Sequence, residues 1–379
     1  MRKNISAILF LSVFATSLGF GIIAPLLPFY ARSFGATGVW IGIIFSAFTV
    51  SRALFMPMMG KLSDRYGRRN FIIIGLFFYT IFSLSYVWAR TEYDLTLIRF
   101  AHGIASAIVT PVTMAYLGDT APKDREGEYM GIFYRFFFVG FAAGPFLSGF
   151  ITQYFYVEWS FYVMSAVGGV GFILSLLFLP ESQGYKESKN VPFTVLLKNK
   201  SMQAIFILRT TQSVGVAAFM AFIPIFSGEA IGLNELQIGV LLTITYLMWA
   251  ILLGPFGRIS DKHNKVVLAL LGSIIMTTCL GLIPLTDSFL QLLSLVLVRS
   301  TGGAIVLSST TALATQIGRD HGMGSTMGVF NTAMAVGMLL GGLSSGFIMD
   351  EIGLDYVFYV ASIVFLMGII LFWRFMRQD

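Results

Sequence analysis

Gly60-Lys61-Leu62-Ser63-Asp64-Arg65-Tyr66-Gly67-Arg68-Arg69 is the stretch from which the rest of the chain can be read. It separates two long apolar runs, Trp40 to Met59 and Phe71 to Trp88, which predicts a short charged turn joining two antiparallel hydrophobic helices. The pattern returns 197 residues later (Gly257 against Gly60) as Gly257-Arg258-Ile259-Ser260-Asp261-Lys262-His263-Asn264-Lys265, again between apolar runs. That offset is about half of the 379 residues and points to an internal duplication.

Composition sets the class. With 56% hydrophobic and 12% charged residues and a mean hydropathy of +0.80, the chain carries more apolar surface than a water-soluble globule can hide, and it reads as a membrane protein. A helix needs roughly 20 apolar residues to cross a hydrocarbon core of about 30 Å, and the apolar runs repeatedly reach that length. Barrel strands would instead show alternation over short segments. The first run, Ile5 to Tyr30 after Met1-Arg2-Lys3-Asn4, is too long for a signal peptide and is followed by further spans, so it is predicted to be the first transmembrane helix. The net charge of +6 comes from Lys and Arg scattered over short connections, which speaks for topology rather than nucleic-acid binding. Cys279 is the only cysteine, so no internal disulfide is possible. No Gly-x-x-x-x-Gly-Lys-Ser/Thr loop occurs, which excludes intrinsic ATP hydrolysis as the energy source, and no cofactor or metal is expected.

Twelve spans are predicted, at about 5–30, 38–59, 71–88, 95–117, 128–152, 158–179, 201–226, 234–254, 266–285, 289–314, 323–348 and 353–373. With both termini on one side, 18 basic residues fall on that side and only Arg32 and Arg90 on the other, so the termini and the charged turn are expected to be cytoplasmic. The longest polar segment, from Pro180 to Asn190, reads as a linker. The expected organisation is an N-terminal six-helix bundle at 1–182, a cytoplasmic linker at 183–200 and a C-terminal six-helix bundle at 201–379.

The two halves align further. Gly140, Gly144 and Ser148 recur as Gly337, Gly341 and Ser345, Arg99-x-x-x-Gly103 recurs as Arg299-x-x-x-Gly303, and Pro28 and Pro224 are expected to close the first and seventh spans. Small residues spaced by four let another helix approach closely, and Pro145 removes one backbone hydrogen bond and permits a bend. An arginine near the middle of a bilayer costs about 2.5–3.5 kcal/mol on insertion scales, so Arg52, Arg99, Arg135 and Arg299 are expected to face a polar cavity. Arg209, near the start of the seventh span, is expected to snorkel.

These residues carry a family resemblance. Gly60 to Arg69 resembles the cytoplasmic loop signature G-x-L-S-D-R-x-G-R-R of the major facilitator superfamily, and Leu97 to Ala107 is similar to its R-x-x-Q-G segment, with His102 in place of glutamine. Gly131, Gly140, Gly144-Pro145 and Gly149 resemble the glycine-proline signature of the twelve-span drug/proton antiporter branch. The resemblance covers the whole chain. It implies an all-α membrane protein, two six-helix bundles with pseudo-two-fold symmetry, and a substrate site between them reached alternately from each side. It further implies a conformational latch built from Gly60, Asp64, Arg65, Arg68 and Asp119, with Asp261 in the weakened second copy, and a helix-flexing motif at Gly140, Gly144, Pro145 and Gly149.

One departure bears on the substrate. No Asp or Glu lies mid-span, whereas exporters of cationic drugs usually need a buried carboxylate, so a purely cationic substrate is disfavoured. His102 beside Arg99 is the candidate carrier of a coupling proton, since histidine titrates near neutral pH. Gln212, Tyr246 and Asn331 are placed on the cavity wall of the second half from span position. The expected function is secondary transport without enzymatic activity, as a monomer among membrane lipids of the plasma (inner) membrane. Its partners would be protons and a neutral or anionic amphipathic small molecule for export. Uptake or exchange of an organic anion or sugar, and lipid flipping, are the alternatives. A polytopic membrane enzyme or receptor is disfavoured, because no metal-spaced or His/Asp cluster sits at a membrane face.

Overall fold

The computed structural model describes residues 2–120, 126–181, 196, 199–321 and 323–377. Twelve α-helices run through them: α1 (Arg2–Ser33), α2 (Gly38–Tyr66), α3 (Arg68–Ser85), α4 (Glu92–Thr120), α5 (Glu126–Tyr154), α6 (Glu158–Phe178), α7 (Lys200–Glu229), α8 (Glu235–Lys262), α9 (Lys265–Leu282), α10 (Phe289–His321), α11 (Met323–Glu351) and α12 (Leu354–Met376). All twelve are long and apolar enough to cross a membrane. The expected linker at 183–200 lies outside the described residues apart from Leu196, Asn199 and Lys200.

The helices outrun the expected spans. At 1.5 Å per residue the 29 residues of α2 reach ~44 Å, well past a hydrocarbon core of about 30 Å. The charged stretch is therefore mostly helix rather than turn. Lys61, Leu62 and Arg65 are good helix formers, and a helix need not stop where the apolar residues stop. The chain reverses only at Gly67, where φ is 95° and a Cβ would stand 2.8 Å from the Glu181 carboxylate. The equivalent position in the second copy, Asn264, solves the same problem differently: its side chain accepts the N–H groups of Val266 (2.9 Å) and Val267 (3.3 Å) and caps α9. Pro28 and Pro224 do not end their helices either. Both lie inside, α1 continuing to Ser33 and α7 to Glu229, as prolines in membrane helices can when neighbouring groups re-satisfy the freed carbonyl.

The helices form two compact units. Unit 1 comprises Met1–Ala36, Ile43–Lys186 and Asn234–Thr243, and unit 2 comprises Thr37–Gly42, Glu187–Leu233 and Ile244–Asp379. In unit 1, α1 packs along α5 and α6, and α3 packs on α4 and α6. In unit 2 the same pattern recurs six helices on: α7 packs along α11 and α12, and α9 on α10 and α12. Leu9, Val13, Leu76, Val109 and Phe133 anchor one core, and Leu208, Met276, Phe330 and Phe365 the other. The outer faces stay apolar. Ile74, Phe77, Phe78 and Ile81 on α3 and Ile363, Leu366, Met367 and Ile370 on α12 are exposed at helical spacing, a stripe suited to lipid tails.

Candidate functional site

At the end of unit 1 that carries the signature stretch, Arg68 sits between two carboxylates. It pairs with Asp64 at 3.0 Å, across the Gly67 turn, and with Asp119 at the end of α4, where Nε stands 2.5 Å from Oδ2 and Nη2 donates to Oδ1 at 3.4 Å. The triad fastens the ends of α2, α3 and α4 to one another. Arg69, the last residue of the signature, donates to the last carbonyls of α6, at Leu176 (2.9 Å) and Leu179, and so satisfies groups a helix end leaves open. Arg65 takes no part in the triad. It is exposed and lies over the Tyr66 ring. Gly60 meets nothing among the described residues within 4 Å of where its Cβ would be, so packing against them does not require a glycine there. Asp261 is exposed and has no ion pair among the described residues.

Inside unit 1, Arg99 and His102 are deep in the packing, at 2% and 1% exposure. The Arg99 guanidinium lies 4.4 Å from the centre of the Phe48 ring, close enough for a cation–π contact. His102 stands edge-on to Tyr79 at 4.2 Å and its Nδ1 lies 3.2 Å from the Tyr86 hydroxyl, which also faces Arg99. Tyr86 is thus the group that joins the two, and nothing in its sequence position announced it. Gly103 lets α4 approach α2 here: a Cβ would stand 2.5 Å from the Phe48 carbonyl oxygen. Arg52 is half-buried, and Arg135 is exposed with no partner among the described residues.

Unit 2 repeats the arrangement around Arg299, 2% exposed, whose guanidinium stacks 3.8 Å from the Phe219 ring centre while Gly303 receives Trp249. Its Nε and Nη2 have no hydrogen-bond partner among the described residues. Arg209 does not snorkel. It is buried, donates to Gln212 Oε1 at 2.9 Å, and lies over Phe330, 4.8 Å from the ring centre. Gln212 is accordingly fully buried between Arg209 and Met276 and lines no surface of unit 2. The polar run Arg209-Thr210-Thr211-Gln212, two turns inside an apolar helix, was the available signal for this pair. Tyr246 is buried and Asn331 exposed.

The spaced glycines make helix contacts of matching kind. A Cβ on Gly144 would stand 2.5 Å from the Gly21 Cα, and one on Gly140 2.7 Å from the Phe14 carbonyl, so α5 lies on α1 backbone to backbone. In unit 2, Gly337 meets the Thr210 carbonyl and Gly341 the Val214 backbone in the same way. Pro145 and Gly149 receive Gly239 of α8, within unit 1.

Paired six-helix patterns, a charged triad at one end and arginines enclosed by aromatic rings define a polytopic α-helical membrane protein. The chain belongs to the Major Facilitator Superfamily, whose family description matches residues 9–342. An uncharacterized MFS-type transporter of Methanocaldococcus jannaschii is 31% identical over 100% of this chain and 99% of its own length. Multidrug resistance protein 1 of Bacillus subtilis is 24% identical over 98% of this chain and 96% of its own. A bacterial homolog of the human lysosomal transporter Spinster, solved inward-facing and occupied, shares the fold with a TM-score of 0.87 at 14% identity, covering 100% of this chain and 97% of that one.

Proposed function

We propose that the protein exports amphipathic neutral or anionic small molecules in exchange for protons, by alternating access, from a plasma (inner) membrane with both termini cytoplasmic. In this reading 1–182 and 201–379 are the two bundles and 183–200 the linker, and the Asp64–Arg68–Asp119 triad is the latch. The observation that carries it is the α1–α5 contact, in which Gly140 and Gly144 of the antiporter-like signature meet α1 backbone to backbone and the Pro145 ring lies against Gly21. The similarity to a multidrug resistance protein along the full chain supports export. The lack of a mid-span carboxylate, together with buried Arg99 and Arg299, supports a neutral or anionic substrate over a cationic one.

Reconstituted vesicles test the reading. An imposed pH gradient is expected to drive amphipathic anions and neutral compounds uphill, opposite to the proton flux, and a proton ionophore to stop it. Flux unaffected by the ionophore, or proton and substrate moving in the same direction, would replace export with exchange or uptake of an organic anion.

A further inference from the structure

Unit 1 holds a cavity of about 290 Å³ at the end away from the charged triad, between α1, α5, the start of α6 and the first turn of α8. That is near the lower end of the roughly 300–1,000 Å³ of small-molecule sites. Pro25, Leu26, Phe29 and Ile238 give it apolar walls.

The polar side chains recorded along it all carry an oxygen able to accept. Glu235 opens α8 at the rim, exposed and without an ion pair among the described residues. The Ser33 hydroxyl donates to the Tyr30 carbonyl (2.7 Å) and the Thr152 hydroxyl to the Ser148 carbonyl (2.8 Å), so each spends its proton on its own helix and has oxygen lone pairs left over. Ser148, 1% exposed, lines the cavity with its Oγ unpartnered among the described residues. Among the described residues no Lys or Arg lines the space. A second carboxylate, Glu158, acts on Tyr30 from the start of α6.

We propose that this cavity is a binding site for a protonated amine with a small apolar body. The body fills the space against Leu26 and Phe29, and the ammonium N–H groups meet Glu235 and the Ser148 Oγ. An anion would lie against an unpaired carboxylate. A neutral molecule of the same shape would gain the apolar contact alone, and a quaternary ammonium would have no N–H to give to Ser148. The site is separate from the enclosed arginines and does not depend on what the protein transports.

The test is equilibrium binding to the purified full-length protein, with no gradient and no vesicle, so that its result is independent of the transport assay. The probes are 2-phenylethylamine at pH 7, 2-phenylethanol as the neutral shape-mate and phenylacetate as the anion. The amine is expected to bind at least tenfold more tightly than the alcohol, with no binding of phenylacetate. Glu235→Gln, at an exposed position, is expected to erase the difference between amine and alcohol. Thr152→Trp, which fills the cavity, is expected to abolish both, with melting followed to show that the protein remains folded. Equal affinity for amine and alcohol in the natural protein overturns the proposal. So does amine binding that survives both substitutions.

Discussion

At the residue scale, burial decides which charges matter. Asp64 and Asp119 both touch Arg68, yet the Asp64 side chain is 38% exposed and pairs four residues away, whereas Asp119 is 18% exposed and joins a different helix. An exposed pair at that spacing contributes below about 0.5 kcal/mol. Losing the partner of a largely buried guanidinium costs about 1–2 kcal/mol. Asp119→Asn is therefore expected to lower the melting temperature in detergent by a few degrees and Asp64→Asn to leave it almost unchanged. If Asp64→Asn nonetheless slows transport, its role is in the conformational change rather than in stability. His102 is governed by the same logic. Buried against Tyr79 and tied to Tyr86, it has packing and a hydrogen bond to lose, so His102→Gln is expected to destabilise the protein by about 1–2 kcal/mol, and proton-driven transport that persists in the variant would take the coupling proton away from it. Loss of coupling with stability intact would return the proton to this histidine.

At the element scale, glycines of one motif separate into those that hold helices together and those that do not. Gly144 has the Gly21 backbone at 2.5 Å, and backbone cannot step aside as a side-chain tip can. Gly144→Leu is expected to cost about 3 kcal/mol or more and to prevent recovery of folded protein. Gly131, on the same helix, has nothing within 4 Å among the described residues, so Gly131→Ala is expected to be neutral or to stabilise by about 0.5–1 kcal/mol through helix propensity. Thermal unfolding of the two variants side by side distinguishes packing from mere membership of a pattern. The start of α2 has a contact of another kind. Asp350 of α11 accepts the N–H groups of Gly38 (2.6 Å) and Val39 (2.8 Å), within unit 2, and a carboxylate there also meets the positive end of the helix. Asp350→Ala is expected to cost about 1 kcal/mol, measured by the same unfolding assay.

At the scale of the whole molecule, the distribution of Lys and Arg predicts both termini in the cytoplasm, and a fluorescent-protein fusion at the C-terminus is expected to be bright, since it matures on that side. A dark fusion with a correctly inserted protein would invert the topology. Twelve spans, their duplication and the family were legible in the sequence because they rest on properties that add along the chain: apolar length, charge bias and the spacing of Gly, Pro and Arg. Helix ends were less legible, since Gly60 to Tyr66 is polar and still helical. Side-chain partners were hardly legible at all. Arg99, His102 and Gln212 look in one dimension like polar groups awaiting a cavity, and only the packing of α2, α3 and α4, or of α7, α9 and α11, encloses them with Phe48, Tyr79, Tyr86 and Met276. Linear order therefore determined what the chain must cross and how often, whereas tertiary structure alone decided which charges are sealed and which are open. Exposure is a property of neighbours brought together from distant parts of the sequence.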